Sequence, residues 1–202
     1  MCIAECHEQF VGRNRRSVIP MENNSSDKNS VVLDFLRDII IAVLIALAVS
    51  FFVKATVVSG DSMEPNFHDK DYLIATRVFN INNLKKDDVV TFRYSDGRLF
   101  IKRVIGLPGD KIKIAGGEVY VNGKKDDQSY TNGGETWVIG PGDDEVLELT
   151  VPEGQVFCLG DNRGDSHDSR DDDVGCVTSD NLKWKVRFRL LPLKSMGTIK
   201  IK

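Results

Sequence analysis

The feature that most constrains this chain is an apolar run from Ile39 to Val53, in which Ser50 is the only polar residue. Its 15 positions fall short of the ~20 residues that cross a hydrocarbon core as a helix. Leu33 to Leu36 extend it on one side and Ala55 to Val58 on the other, so an anchor over 35–58 has the required length. Arg37, Asp38 and Lys54 then lie near the two interfaces, the long basic side chains snorkelling toward water. A cleaved secretory signal is one rival, although the polar lead is long for one; a buried core helix is another. An uncleaved single anchor is expected. Charge does not orient it, because Lys28 and Arg37 on one side balance Lys54 and Lys70 on the other.

Residues 1–34 are polar and irregular, with Asn23 to Ser30 reading as disorder. Met21 opens a plausible start, so residues 1–20 read as an upstream extension. The 143 residues beyond Ser59 suffice for one sizeable core. A net charge of -3 gives no sign of nucleic-acid binding. From Asn181 to Lys202, however, seven basic residues and no acidic one suit an anionic lipid surface. Cys2, Cys6, Cys158 and Cys176 form no C-x-x-C or zinc pattern. The apolar contexts of Cys158 and Cys176 favour buried thiols over a disulfide.

Beyond the anchor the pattern is one of short strands, at 71–78, 88–94 and 99–107, the last closed by Pro108-Gly109-Asp110. Strands are also expected at 111–114 and at 118–121, where Asn122-Gly123 is a hairpin turn. Residues 124–145 read as a loop-rich excursion around Trp137, followed by strands at 145–151 and 155–159. Lys183 to Leu190 alternates basic and apolar residues, as a half-buried strand does. The fold class is mainly β.

Three clusters could carry chemistry. Gly60-Asp61-Ser62-Met63-Glu64-Pro65 sets a serine in a turn just beyond the anchor, either a nucleophile or simply a turn. The histidines are His7, His68 and His167. None has an evident partner, since His167 and its neighbour Asp168 point to opposite faces of an extended chain. Lys102 is the other candidate base. The strand period puts Phe100, Lys102 and Val104 on one face and Ile101, Arg103 and Ile105 on the other. A lysine between Phe100 and Val104 could be desolvated, which lowers its pKa and frees an amine to take a proton. An edge lysine that discourages aggregation has the same pattern. The third cluster, GDNRGDSHDSR over 160–170, is rich in hydrogen-bonding groups. Its glycine spacing does not fit the helix-loop-helix calcium site.

Together the three clusters resemble type I signal peptidases, the membrane-bound Ser-Lys serine proteases that remove signal peptides from exported proteins. GDSMEP resembles their nucleophile box, FIKRVIGLPGD their general-base box and GDNRGDSHDSR their third box. VRFRLLPLKSMG resembles their closing segment, so the likeness covers Leu36 to Lys202. It implies a signal-peptidase-type β-sheet catalytic domain over 59–202 with one N-terminal transmembrane helix and a reduced insert at about 110–152. Ser62 would be the nucleophile and Lys102 the general base. Ser166 would orient the amine, and Asp168 and Arg170 would be a structural pair. The Ser62 backbone N–H would form the oxyanion hole, and Gly60, Asp61, Met63 and Pro65 would shape the substrate cleft. Gly60 stands where some members have a second oxyanion hydroxyl. Asn66 replaces the usual threonine, and 171–175 the usual aromatic-glycine pair.

The resemblance implies no cofactor and no metal. It implies preproteins with small residues at the first and third positions before the cut as substrates, with the phospholipid membrane and the secretion translocon as further partners. The N-terminus would be cytoplasmic and the catalytic domain extracytoplasmic. Two rivals are weighed against it. A self-cleaving Ser-Lys regulator needs a DNA-binding head that residues 1–34 do not offer. A membrane-anchored non-catalytic β domain binding a partner or calcium would have to carry Ser62, Lys102 and Ser166 by chance.

Overall fold

The computed structural model describes residues 25–131, 133–138 and 146–199. The expected disorder of 1–24, the extension at 1–20 and part of the excursion before 146 lie outside them. The chain forms two compact units, Met1–Ile45 and Ala46–Lys202.

Helix α1 runs over Ser25–Phe52, and its 23-residue stretch Ser30–Phe52 is long and apolar enough to cross a membrane. The helix departs from expectation at both ends. Residues 25–34, expected to be disordered, are helical. The far end of the expected anchor is instead strand β1 (Val53–Val57), paired in register with β2 (Tyr72–Arg77). Apolar composition does not separate helix from strand, and the β-branched Val53, Thr56 and Val57 suit the pleat.

The remaining strands are β3 (Val89–Arg93), β4 (Leu99–Gly106), β5 (Lys111–Ala115), β6 (Glu118–Val121), β7 (Lys124–Lys125), β8 (Leu147–Thr150), β9 (Gln155–Leu159), β10 (Val177–Thr178), β11 (Leu182–Leu191) and β12 (Gly197–Thr198). The larger sheet has the order β1-β2-β11-β3-β4-β9-β10, with β12 on β11; the smaller has β7-β6-β5-β8. All pairings are antiparallel. The mainly β reading holds, and the insert forms the second sheet.

One detail of register positions the site. β3 pairs with all of β4 from Leu99 to Arg103, but β9 joins the other side of β4 only from Arg103 onward. The edge from Leu99 to Lys102 therefore has no strand against it among the described residues.

Strand β11 shows why clean alternation misleads. Register shifts between Val186 and Phe188 and between Arg189 and Leu191 break the period. Lys185 is buried against Asp88, and Arg189 packs 4.8 Å over the Phe67 ring and pairs with Asp71.

Ile105, Ile112, Ile114, Phe157 and Leu159 pack between the sheets, and Val90, Phe92, Val104 and Cys158 form a second cluster. A third gathers Val58, Met63, Phe67, Leu73, Val89 and Val186 beneath the turn that carries Ser62. Burying side chains such as Met63 and Phe67 contributes about 1.5–3 kcal/mol each, which ties that turn to the sheet. Cys158 and Cys176 are free thiols, the first buried and the second half-buried.

Candidate active site

The segment joining β1 to β2 is closed at its base, where Val58 N–H donates to Asp71 O at 2.9 Å and Lys70 N–H to Val58 O at 3.0 Å. Gly60 enters the turn with φ +86°, and a Cβ there would meet nothing within 4 Å. Left-handed backbone, not crowding, demands glycine at that position. The turn then tightens, with Glu64 N–H donating to Asp61 O at 3.0 Å and Phe67 N–H to Met63 O at 2.9 Å. Ser62 sits half-buried at its head, and its N–H makes no hydrogen bond among the described residues.

Lys102 lies on the uncovered edge of β4. Its Nζ donates to Ser62 Oγ at 2.6 Å, while only 4% of the residue is exposed. Burial pushes the amine from about 10.5 down to about 8; Asp168 and Asp161 oppose the shift and Arg170 assists it. The Phe100 ring centroid stands 5.5 Å from the amine. Of the two sequence readings of Lys102, the desolvated amine is the one this environment fits.

Arg103 is directed elsewhere, as strand alternation requires. It forms a two-armed pair with Asp161 at 2.8 and 2.6 Å and donates to Asp87 O at 3.0 Å. Asp161 also accepts from Asn66 Nδ2 at 2.9 Å, which gives Asn66 a tethering role that its departure from the family pattern did not foreshadow.

The third cluster closes over the nucleophile turn. Asn162 N–H donates to Ser62 O at 3.1 Å, and its side-chain amide to Asp61 O at 3.2 Å. Asp168 and Arg170 form a buried two-armed pair at 2.8 and 2.9 Å. Burial alone would raise the Asp168 pKa, but Arg170 and the Gly160 N–H hold it below the usual carboxylate range. Arg170 also donates to the carbonyls of Arg163, Ser166 and Trp137, at 2.8, 3.2 and 3.0 Å. Buried Arg163 ties Gly160 O to Gln128, Thr136 and Tyr130 of the insert.

Two expected contributions differ in the structure. The Lys102 amine bonds to Ser62, whereas the Ser166 hydroxyl is buried with no partner among the described residues. Ser166 is instead packed against Gly160, where a Cβ would lie 2.1 Å from its Oγ. Gly60 and Asp61 line the cleft beside Ser62, but Met63 is core and Pro65 is exposed away from the lining. The turn sends Met63 and Phe67, four residues apart, into the core beneath it, which sequence position alone does not reveal. The cleft encloses about 620 Å³, and its wall includes Thr91, Phe100, Ile101 and His167. A second cavity of about 270 Å³, lined by Arg103, Arg189 and Tyr130, contains neither Ser62 nor Lys102.

His167 pairs with Asp173 at 2.9 Å, and Tyr94 donates to the same carboxylate. With Asp171 these bring three donor atoms within 4.8 Å of one another. Calcium takes roughly six to eight oxygens, whereas one donor here is an imidazole and both carboxylates already accept hydrogen bonds.

Sequence reasoning missed the roles of Asn162, Asn66 and Gly160. Asn162 and Gly160 were visible only as members of the polar third cluster, and their bonds cross between distant segments.

The model of the family described as signal peptidase, peptidase S26, matches residues 32–191. Signal peptidase I of Bacillus amyloliquefaciens is 32% identical over 89% of this chain and 98% of its own length. Signal peptidase I S of Bacillus subtilis is 31% identical over 87% and 98%. Signal peptidase IB of Staphylococcus aureus is 33% identical over 80% and 90%. The chain belongs to the signal peptidase family, peptidase S26, and is a membrane-bound serine endopeptidase that cleaves signal peptides.

Proposed function

We propose that Ser62 and Lys102 perform the cleavage as a dyad. The observation that carries this reading is the 2.6 Å contact between Ser62 Oγ and a lysine amine buried beside it. As lysinium, Nζ donates to Oγ. Once neutral, its lone pair accepts the Oγ–H proton while Oγ attacks the scissile carbonyl carbon. The lysinium then returns a proton to the departing amine, and the acyl ester remains on Ser62. Water deprotonated by the same amine releases it. The unoccupied Ser62 N–H supplies the oxyanion donor. Ser166, with its hydroxyl buried beside this pair, is the group available to hold the amine as its charge changes, and the Asp168–Arg170 pair fixes the loop that carries it.

The uncovered edge from Leu99 to Lys102 suits an extended peptide, bound through its backbone with alternate side chains in shallow pockets. Exported chains require this unit on the outer face of the membrane, with the residues before Arg37 in the cytoplasm and the secretion translocon as the neighbour that delivers substrate. The expected test result is cleavage of a preprotein in detergent by the wild type and none by Ser62→Ala. Cleavage by Ser62→Ala at the wild-type rate would overturn the dyad.

The lowered Lys102 pKa gives a second expected result. With a value near 8, roughly one amine in ten is neutral at pH 7, against about one in 2,500 for an unperturbed lysine. The kcat/KM should rise about tenfold per pH unit below 8 and level off above it. Stability has the matching sign: between about 8 and 10.5 the unfolded chain binds this proton more tightly, so Lys102 makes folding more favourable as pH rises there. A rate unchanged between pH 6 and 9 would exclude the amine as base.

A further inference from the structure

The Ser62 N–H is one half of a peptide group whose other half is held in place. The Asp61 carbonyl and the Ser62 N–H belong to one planar trans unit, so they point in opposite directions. The Asp61 oxygen accepts from Asn162 Nδ2 at 3.2 Å and from Glu64 N–H at 3.0 Å. Fixing that oxygen therefore fixes the Ser62 N–H, which is directed away from Asn162. Asn162 also donates its own N–H to Ser62 O at 3.1 Å, so it grips the carbonyls on both sides of the Ser62 Cα. Rotation about the Ser62 N–Cα bond would move these two carbonyls relative to one another and break one of the grips.

The Glu64 bond closes the turn on itself and moves with it. The Asn162 bonds reach a different part of the fold. Asn162 follows Asp161, which is fully buried and forms the two-armed pair with Arg103. Arg103 is the residue after Lys102 in β4. A short path through Arg103, Asp161 and Asn162 thus joins the base to the peptide that carries the oxyanion donor. A buried, charge-assisted pair within that path leaves little play. The side chain at 162 must donate, because a carbonyl oxygen only accepts; asparagine has that N–H and aspartate, of the same shape, lacks it.

We propose that Asn162 is the positioning residue of the oxyanion hole, holding the Ser62 N–H toward the attacked carbonyl in register with the Lys102 amine. It touches no reacting atom and acts through the Asp61–Ser62 peptide. The inference rests on the Ser62–Lys102 reading and on the oxyanion role of the Ser62 N–H.

The test uses the full chain in detergent, with Asn162→Ala and Asn162→Asp, both of which keep the backbone bond to Ser62 O and lose the side-chain donor. On a preprotein, kcat should fall about 10- to 10²-fold with KM nearly unchanged. That is less than the roughly 10²- to 10³-fold of deleting an oxyanion donor, because the Glu64 bond remains. In Asn162→Ala the pH midpoint near 8 should stay where it is, since the groups that set it are untouched. A peptide aldehyde supplies the second measurement. Ser62 Oγ bonds to its carbonyl carbon, the π pair moves onto the carbonyl oxygen, and Lys102 takes the Oγ proton. The adduct therefore carries the oxyanion that the N–H holds. Its Ki should weaken in both variants by the same factor as kcat/KM, while the Ki of the corresponding peptide alcohol, which forms no adduct, stays level. A merely structural role would weaken aldehyde and alcohol alike or move the pH midpoint of Asn162→Ala, and either result overturns the assignment. So does an unchanged kcat in Asn162→Ala. A wild type that fails to cleave overturns the dyad reading instead, and this inference with it.

Discussion

Replacing Lys102 by methionine is expected to lower kcat/KM by about 10³-fold or more while leaving the fold intact. Methionine fills much of the same volume but cannot take the Ser62 proton, and the residual rate would come from the Ser62 N–H and from binding. The structure separates this loss from a folding defect. Lys102 is buried and its pKa is lowered mainly by desolvation, so its charged form opposes folding at neutral pH. Thermal stability of Lys102→Met should therefore equal or exceed that of the wild type at pH 7. Lys102→Arg should be equally inactive for a different reason: a guanidinium stays protonated, and its fork does not fit where Nζ meets Oγ at 2.6 Å. Kinetics and melting curves on the same preparations check both variants. Substantial turnover by either would sink the dyad.

The second large effect is expected at Gly160. Its backbone is not left-handed, so conformation does not demand glycine there. Space does. A Cβ would stand 2.1 Å from Ser166 Oγ and 2.5 Å from the Ser62 carbonyl oxygen, and the second of these is backbone that cannot swing aside. Gly160→Ala must push the third cluster and the nucleophile turn apart. It would also strain the bonds by which Asn162 holds Ser62 O and Asp168 receives Gly160 N–H. A misplacement near 1 Å at the reacting atoms costs on the order of 10²-fold in rate, and overpacking costs about 1–3 kcal/mol in stability. Gly164→Ala is the matched control, because a Cβ there meets nothing within 4 Å. Near-equal kcat/KM for the two alanine variants would show that the Gly160 contact does not hold the site.

These two positions illustrate how far the site could be read in advance. Ser62 and Lys102 were candidates because a serine follows an anchor in a glycine turn and a lysine stands in an apolar strand, and only the resemblance of the three clusters together singled them out as nucleophile and base. Gly160 was visible as part of the third cluster, but its role depends on two segments nearly a hundred residues apart. The same holds for Asn162, which reaches Asp61 and Ser62, and for Asn66, which reaches Asp161. Met63 shows the converse: adjacent to the nucleophile, it was expected in the cleft and is instead core, since the turn directs it under the sheet.

The strands of the main domain followed from β-branched and aromatic runs with their turn residues, and most boundaries lie within two residues of expectation. The ends of the apolar helix did not, because composition is silent on whether Val53 to Val57 continues a helix or finds a β partner; pairing with β2 decides that. In β11, bulges override an alternation that looked complete.

The sequence by itself determined the anchor, the mainly β class and the candidate reacting groups, because hydrophobic length, strand period and motif composition are local properties. Only the tertiary structure decided that the Lys102 amine meets Ser62 Oγ, that burial lowers its pKa to about 8, and that the β4 edge beside it stays uncovered. Those depend on desolvation and on register between strands distant in the chain, which no single stretch of residues encodes.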